Sequence, residues 1–186
     1  IVPRNVQGIR TTMNRFIRAL VLIPALLIWL PGASAQDGLD EARQLAQSGD
    51  TSGAIKQLDE LMSDDAGLET QVQARYMKGM LLLGSGDNLG AKATFQGLVD
   101  DYPTLPEPYN NLAAIYAAEG DLETARLLLV SLLEQYPDHA VALENLGDIY
   151  AKLAADAYER ARSLEPTETK LAAKLQLIGQ LFGPTG

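Results

Sequence analysis

The chain has 186 residues, room for one domain of ordinary size, and 47% hydrophobic against 21% charged residues is a globular composition, not a disordered one. Residues 1–35 hold four arginines and no acid, and the remainder carries eleven basic against 24 acidic residues, a net charge of −13. A body that acidic repels phosphate backbones and anionic headgroups, which argues against nucleic-acid binding, and the absence of cysteine removes disulfides, thiolate catalysis and cysteine zinc sites.

Residues 1–12 precede Met13 and read as an over-extended gene start or a non-native addition. Residues 13–35 read as a secretory signal peptide. Arg15 and Arg18 form its charged start, residues 19–30 an apolar run, and Pro31 and Gly32 its break. Ala33, Ser34 and Ala35 supply the small-x-small pattern, so cleavage after Ala35 is expected, with a periplasmic or secreted destination. The run is shorter than the ~20 residues that span a bilayer. The alternative is an uncleaved anchor. Trp29 lies in this segment, so the processed chain contains no tryptophan.

A helical repeat is expected over residues 37–182, with 183–186 a tail. Gly49 and Asp50 are followed by Ala54, Gly86 and Asp87 by Ala91, and Gly120 and Asp121 by Ala125. Ala91 and Ala125 are 34 residues apart, as are Pro103 and Pro137. The physical sense is a helical hairpin: the glycine ends one helix in a left-handed conformation, the alanine lets two helices approach, and the proline stops the second.

Tyr109, Leu112, Ala113 and Tyr116, then Ala125, Leu129 and Pro137, follow the spacing of the tetratricopeptide repeat (TPR). Gly79, Leu82, Ala91, Phe95 and Pro103 make a second copy, and Leu143, Leu146, Gly147 and Tyr150 restart the pattern. Ala42, Leu45, Ala54, Leu58 and Leu61 make a weaker first one. The chain resembles that family over residues 38–165. Arg75 and Lys78 stand where the family prefers apolar residues, which leaves that helix partly exposed or out of register. Residues 145–150, the segment after them and the closing helix resemble a group of exported proteobacterial members with a fused last repeat, found beside cell-envelope enzymes.

The fused repeat follows from spacing. No glycine interrupts the chain after Tyr150 until Gly179. Leu143, Leu146, Tyr150, Leu153, Ala157, Ala161 and Leu164 form one amphipathic stripe, which predicts a single helix over residues 139–164, with a shortened hairpin as the alternative. Pro166 and Thr167 should start a last helix to about Phe182, buried through Leu171, Leu175, Ile178 and Leu181, with Lys170 and Lys174 facing water. The expected fold is all-α: a TPR-type right-handed α-solenoid of about three hairpins, one long helix and a C-terminal capping helix.

Catalytic and metal chemistry find little support. His139 is the one histidine, expected as a solvent-exposed turn residue, and no Gly-x-Ser-x-Gly elbow accompanies it. The pairs Asp64, Asp65 and Asp100, Asp101 sit at helix ends, where water screens them. No catalytic residue, cofactor or metal is expected.

The resemblance implies that the first helices line an inner groove. At helical spacing Tyr76 and Met80, Asn110 and Ala114, and Glu144, Asp148 and Lys152 would face it, while Asn111 and Asn145 would pack between helices. Such a groove disfavours an acidic peptide and accepts a basic or apolar one. The expected role is a non-enzymatic protein- or peptide-binding scaffold of the periplasm or cell envelope, with no nucleic-acid partner and no membrane insertion after cleavage. The alternatives are a holdase-like chaperone, a self-associating structural subunit or, least favoured, an enzyme.

Overall fold

A computed structural model of the chain describes residues 33–63, 67–165 and 168–182. The signal segment up to Gly32 with Trp29, the Asp64 and Asp65 pair, the proposed helix start at Pro166 and Thr167, and the tail lie outside the described residues. Eight α-helices and no strand occur among the described residues: α1 (Ala33–Gln47), α2 (Thr51–Leu61), α3 (Leu68–Ser85), α4 (Asn88–Asp101), α5 (Pro106–Glu119), α6 (Leu122–Gln135), α7 (Ala140–Leu164) and α8 (Thr169–Leu181). The chain divides into two compact units, one ending at Leu112 and the other running from Ala113, so the division falls within α5.

Three turns share one construction. Gly49, Gly86 and Gly120 have φ of 89°, 88° and 89°, the left-handed region. The next amide, on Asp50, Asp87 or Asp121, donates to a carbonyl five residues back at 2.9 Å. The same aspartate's carboxylate then accepts from the amide of Gly53, Gly90 or Thr124, at 2.9, 2.9 and 3.1 Å, and caps the following helix. The repeated Gly-Asp pair therefore stops one helix and starts the next. At the far ends, α4 and α6 stop just before Tyr102-Pro103 and Tyr136-Pro137.

In the first unit α1 packs on α2, α2 on α3, and α3 on α4. Leu39, Ala42, Leu58 and Ala74 form a buried cluster, flanked by Leu61, Met62, Met77 and Leu81. Arg75 and Lys78 keep the register and are partly buried, because each crosses to a carboxylate on a neighbouring helix. Arg75 Nη1 lies 2.5 Å from Asp101 Oδ2 and Lys78 Nζ 2.6 Å from Asp59 Oδ1.

In the second unit α6 packs on α7 and α7 on α8. The single helix expected over residues 139–164 is present as α7, but His139 lies outside it as its cap. The histidine is half-buried, not a freely exposed turn residue, and its Nδ1 accepts from the Ala142 amide at 3.1 Å. The buried face also differs from the expected stripe. Ala142 and Ile149 are buried, while Leu143 and Tyr150 are half exposed. α7 meets α6 on one flank and α8 on another, which leaves the centre of its apolar stripe uncovered. On α8, Leu171, Leu175 and Ile178 are half-buried as expected. Leu181 is 69% exposed, however, and Phe182 turns in beyond the helix end.

Gly79 and Gly147 hold the same repeat position, yet their surroundings differ. A Cβ on Gly79 would stand 2.7 Å from Cε1 of the fully buried Phe95, whereas one on Gly147 meets nothing within 4 Å. In α3 the glycine admits the facing helix; in α7 that partner has been absorbed into the long helix. Gly79→Ala should therefore lower stability by about 1–3 kcal/mol through overpacking. Gly147→Ala should raise it by roughly 0.5–1 kcal/mol through helix propensity alone. Opposite shifts in urea midpoint are the expected reading.

Candidate binding surface

Tyr76, Met80 and Asn110 belong to the first unit. Tyr76 and Met80 lie one turn apart on α3, both half-buried. The Tyr76 ring packs obliquely on Phe95, with centroids 5.8 Å apart at 59°. Asn111 of α5 is 2% exposed, and its Nδ2 donates to the Tyr76 hydroxyl at 2.9 Å and to Met80 Sδ at 3.6 Å. Asn111 thus ties two first helices together, as the resemblance implies. Asn110 is 8% exposed, so it presents less surface than a groove residue would. Burial pushes the Tyr76 hydroxyl above its ordinary pKa, the Asn111 bond opposes this, and the Glu107 carboxylate adds to it.

Ala114, Glu144, Asp148 and Lys152 belong to the second unit. Ala114 is half-buried on α5. On α7 the other three follow at intervals of four and share one face, Glu144 exposed and Asp148 and Lys152 half-buried. Burial raises the Asp148 pKa; the Lys152 ammonium opposes this and Glu144 reinforces it. Burial likewise lowers the Lys152 pKa, against the pull of Asp148. The Lys152 ammonium stands 6.0 Å from the centre of the Phe182 ring, and Lys174 caps the Tyr158 ring at 4.7 Å. Lys174 is exposed as expected, but it is stacked on an aromatic face and not merely solvated.

A cleft of about 240 Å³ lies among Met62, Gln71, Val72, Arg75 and Tyr102, below the ~300–1,000 Å³ of small-molecule sites. Arg75 in its wall is engaged by Asp101, and Asp100 accepts from Gln96 Nε2 at 2.9 Å. Both carboxylates of that pair thus have structural partners. Among the described residues no cluster of three histidine, cysteine, aspartate or glutamate side chains could hold a metal ion, and no buried side-chain polar atom lacks a hydrogen bond.

A family model described as tetratricopeptide repeat matches residues 82–147. Among solved structures, a tetratricopeptide repeat protein from Parabacteroides merdae ATCC 43184 aligns with a TM-score of 0.60 at 17% identity, over 79% of this chain and 59% of that one. The chain has the tetratricopeptide-repeat fold. MamA aligns with a TM-score of 0.54 at 20% identity, over 74% of this chain and 81% of its own. This TPR chain thus spans just under three fifths of the P. merdae protein. No curated protein matches it.

Asp148 supplies a test of the α7 face. A carboxyl with a raised folded pKa favours the folded state below its unfolded value, and that contribution is lost as pH rises through the folded midpoint. An NMR titration should place the Asp148 midpoint above 3.8, and Lys152→Met, which removes the opposing ammonium, should raise it further.

Proposed function

We propose that the chain is a non-enzymatic scaffold, exported to the bacterial periplasm or cell envelope, that holds a protein or peptide of basic or apolar character. One observation carries the reading: the first helices of the TPR hairpins leave binding-type side chains half exposed instead of enclosing a reactive cluster. On α3 these are an aromatic ring and a thioether, Tyr76 and Met80; on α7 they are two carboxylates, Glu144 and Asp148, with Lys152 beside them. TPR folds generally serve as protein-interaction scaffolds, which supports binding over catalysis.

The acidic surplus of residues 36–186 favours a cationic segment through long-range attraction. Lys152 is partly neutralised by Asp148, so it offers an acidic peptide little. Export rests on the tripartite pattern of residues 13–35. Cleavage after Ala35 is compatible with the fold, since the core cluster of α1 begins at Leu39. Among the described residues no helix is long and apolar enough to cross a membrane.

Titration with Lys-rich, Glu-rich and neutral apolar peptides should show preference for the Lys-rich or apolar ligand, with Lys-rich binding weakened by salt. Preference for the Glu-rich peptide defeats the reading. The exported protein should begin at Gln36 on N-terminal sequencing and emit only tyrosine fluorescence; tryptophan emission would show that Trp29 is retained.

A further inference from the structure

On α7, Leu143, Tyr150, Ala157 and Leu164 recur at intervals of seven, and all four are exposed: Leu143 50%, Tyr150 49%, Leu164 82%, with Ala157 open as well. Sevenfold spacing keeps side chains in a nearly straight row, the geometry by which one helix seats against another. Arg126 of α6 bonds to the Tyr150 side chain, so the largest member of the row is held in place. Exposed apolar rows of this length mark contact surfaces.

From this ridge we infer that a second copy of the chain docks antiparallel along α7, related by a two-fold axis near residues 153 and 154. Three observations select that occupant. The first is self-complementarity. The N-terminal half of the ridge and its border are large, with Leu143, Leu146 and Tyr150, while the C-terminal half is small, with Ala154, Ala157 and Ala161 before Leu164. Reversal about that axis sets Tyr150 opposite Ala157, Leu146 opposite Ala161 and Leu143 opposite Leu164. A parallel pairing would set Tyr150 against Tyr150 and Ala157 against Ala157, a clash beside a gap.

The second is Gly147. It is exposed, with open space where its Cβ would be, and in the antiparallel pair the stem of Arg160 comes opposite it. The third is charge. Two copies of a strongly acidic chain repel, yet at 3.6 residues per turn Glu144, Asp148, Asp156 and Glu159 all lie about 120° or more from the ridge. This side of α7 lets two copies meet without opposing carboxylates. The ridge and its borders offer on the order of 500 Å² per copy, near the ~1,000 Å² total that a specific interface needs, so the dimer should be reversible. The surface lies opposite the Glu144–Asp148–Lys152 face and does not depend on the peptide-binding reading.

The chain lacks cysteine, so introduced thiols report geometry without background. Mixed Tyr150→Cys and Ala157→Cys full-length chains should form a disulfide-linked pair under mild oxidation, and neither should do so alone, because like positions lie about seven residues of rise apart. In sedimentation equilibrium the unmodified chain should dimerise, and Tyr150→Asp, with an unchanged far-ultraviolet spectrum, should weaken dimerisation at least tenfold. A chain that remains monomeric overturns the inference and leaves the ridge to another protein. Association untouched by Tyr150→Asp, or cross-linking of either single variant alone as fast as the mixture, also overturns it.

Discussion

A glycine at positive φ followed by a capping aspartate is the constraint on which the hairpins depend. The glycine lets the aspartate amide satisfy a carbonyl five residues back, and the aspartate carboxylate satisfies an amide of the next helix. Both ends of the interruption are thus hydrogen-bonded within a few residues, so the chain reverses without stranding backbone polar groups. Once reversed, small residues decide how closely the paired helices lie: Gly79 admits the Phe95 ring, and Ala91 and Ala125 are fully buried.

Where the pair is missing, the consequence is large. After Tyr150 no Gly-Asp signal occurs, and the helix continues to Leu164. α7 begins as the first helix of a repeat but has no second helix folded against its Gly147 side. Its contacts are redistributed, with Ala142 and Ile149 buried on one flank and α8 against another. The same event frees the Glu144–Asp148–Lys152 face and uncovers the ridge on the far side.

Polar groups take over where the repeat pattern loses apolar ones. Arg75 and Lys78 occupy positions that the resemblance reserves for apolar side chains, and their aliphatic stems lie partly buried while their charged ends reach Asp101 and Asp59. Such pairs fix which helix faces which more than they stabilise, since partly exposed ion pairs contribute only about 0–1 kcal/mol. Asn111 acts similarly with Tyr76 and Met80, and its near-complete burial gives that bond more weight.

The sequence alone determined the local events: where helices stop and start, the 34-residue spacing, and the single helix that replaces the fourth hairpin. Each is set by a few neighbouring residues whose backbone preferences act over short distances. The tertiary structure decided which side of each helix is used. The Leu143–Tyr150 stripe reads as core by periodicity, and it remains open because the helix divides its burial between two neighbours. Asn110 reads as groove-facing and is buried, and His139 reads as a plain turn residue and caps α7. Periodicity names an apolar face without naming what covers it; that depends on helices far away in the chain, and only the packed fold brings them into place.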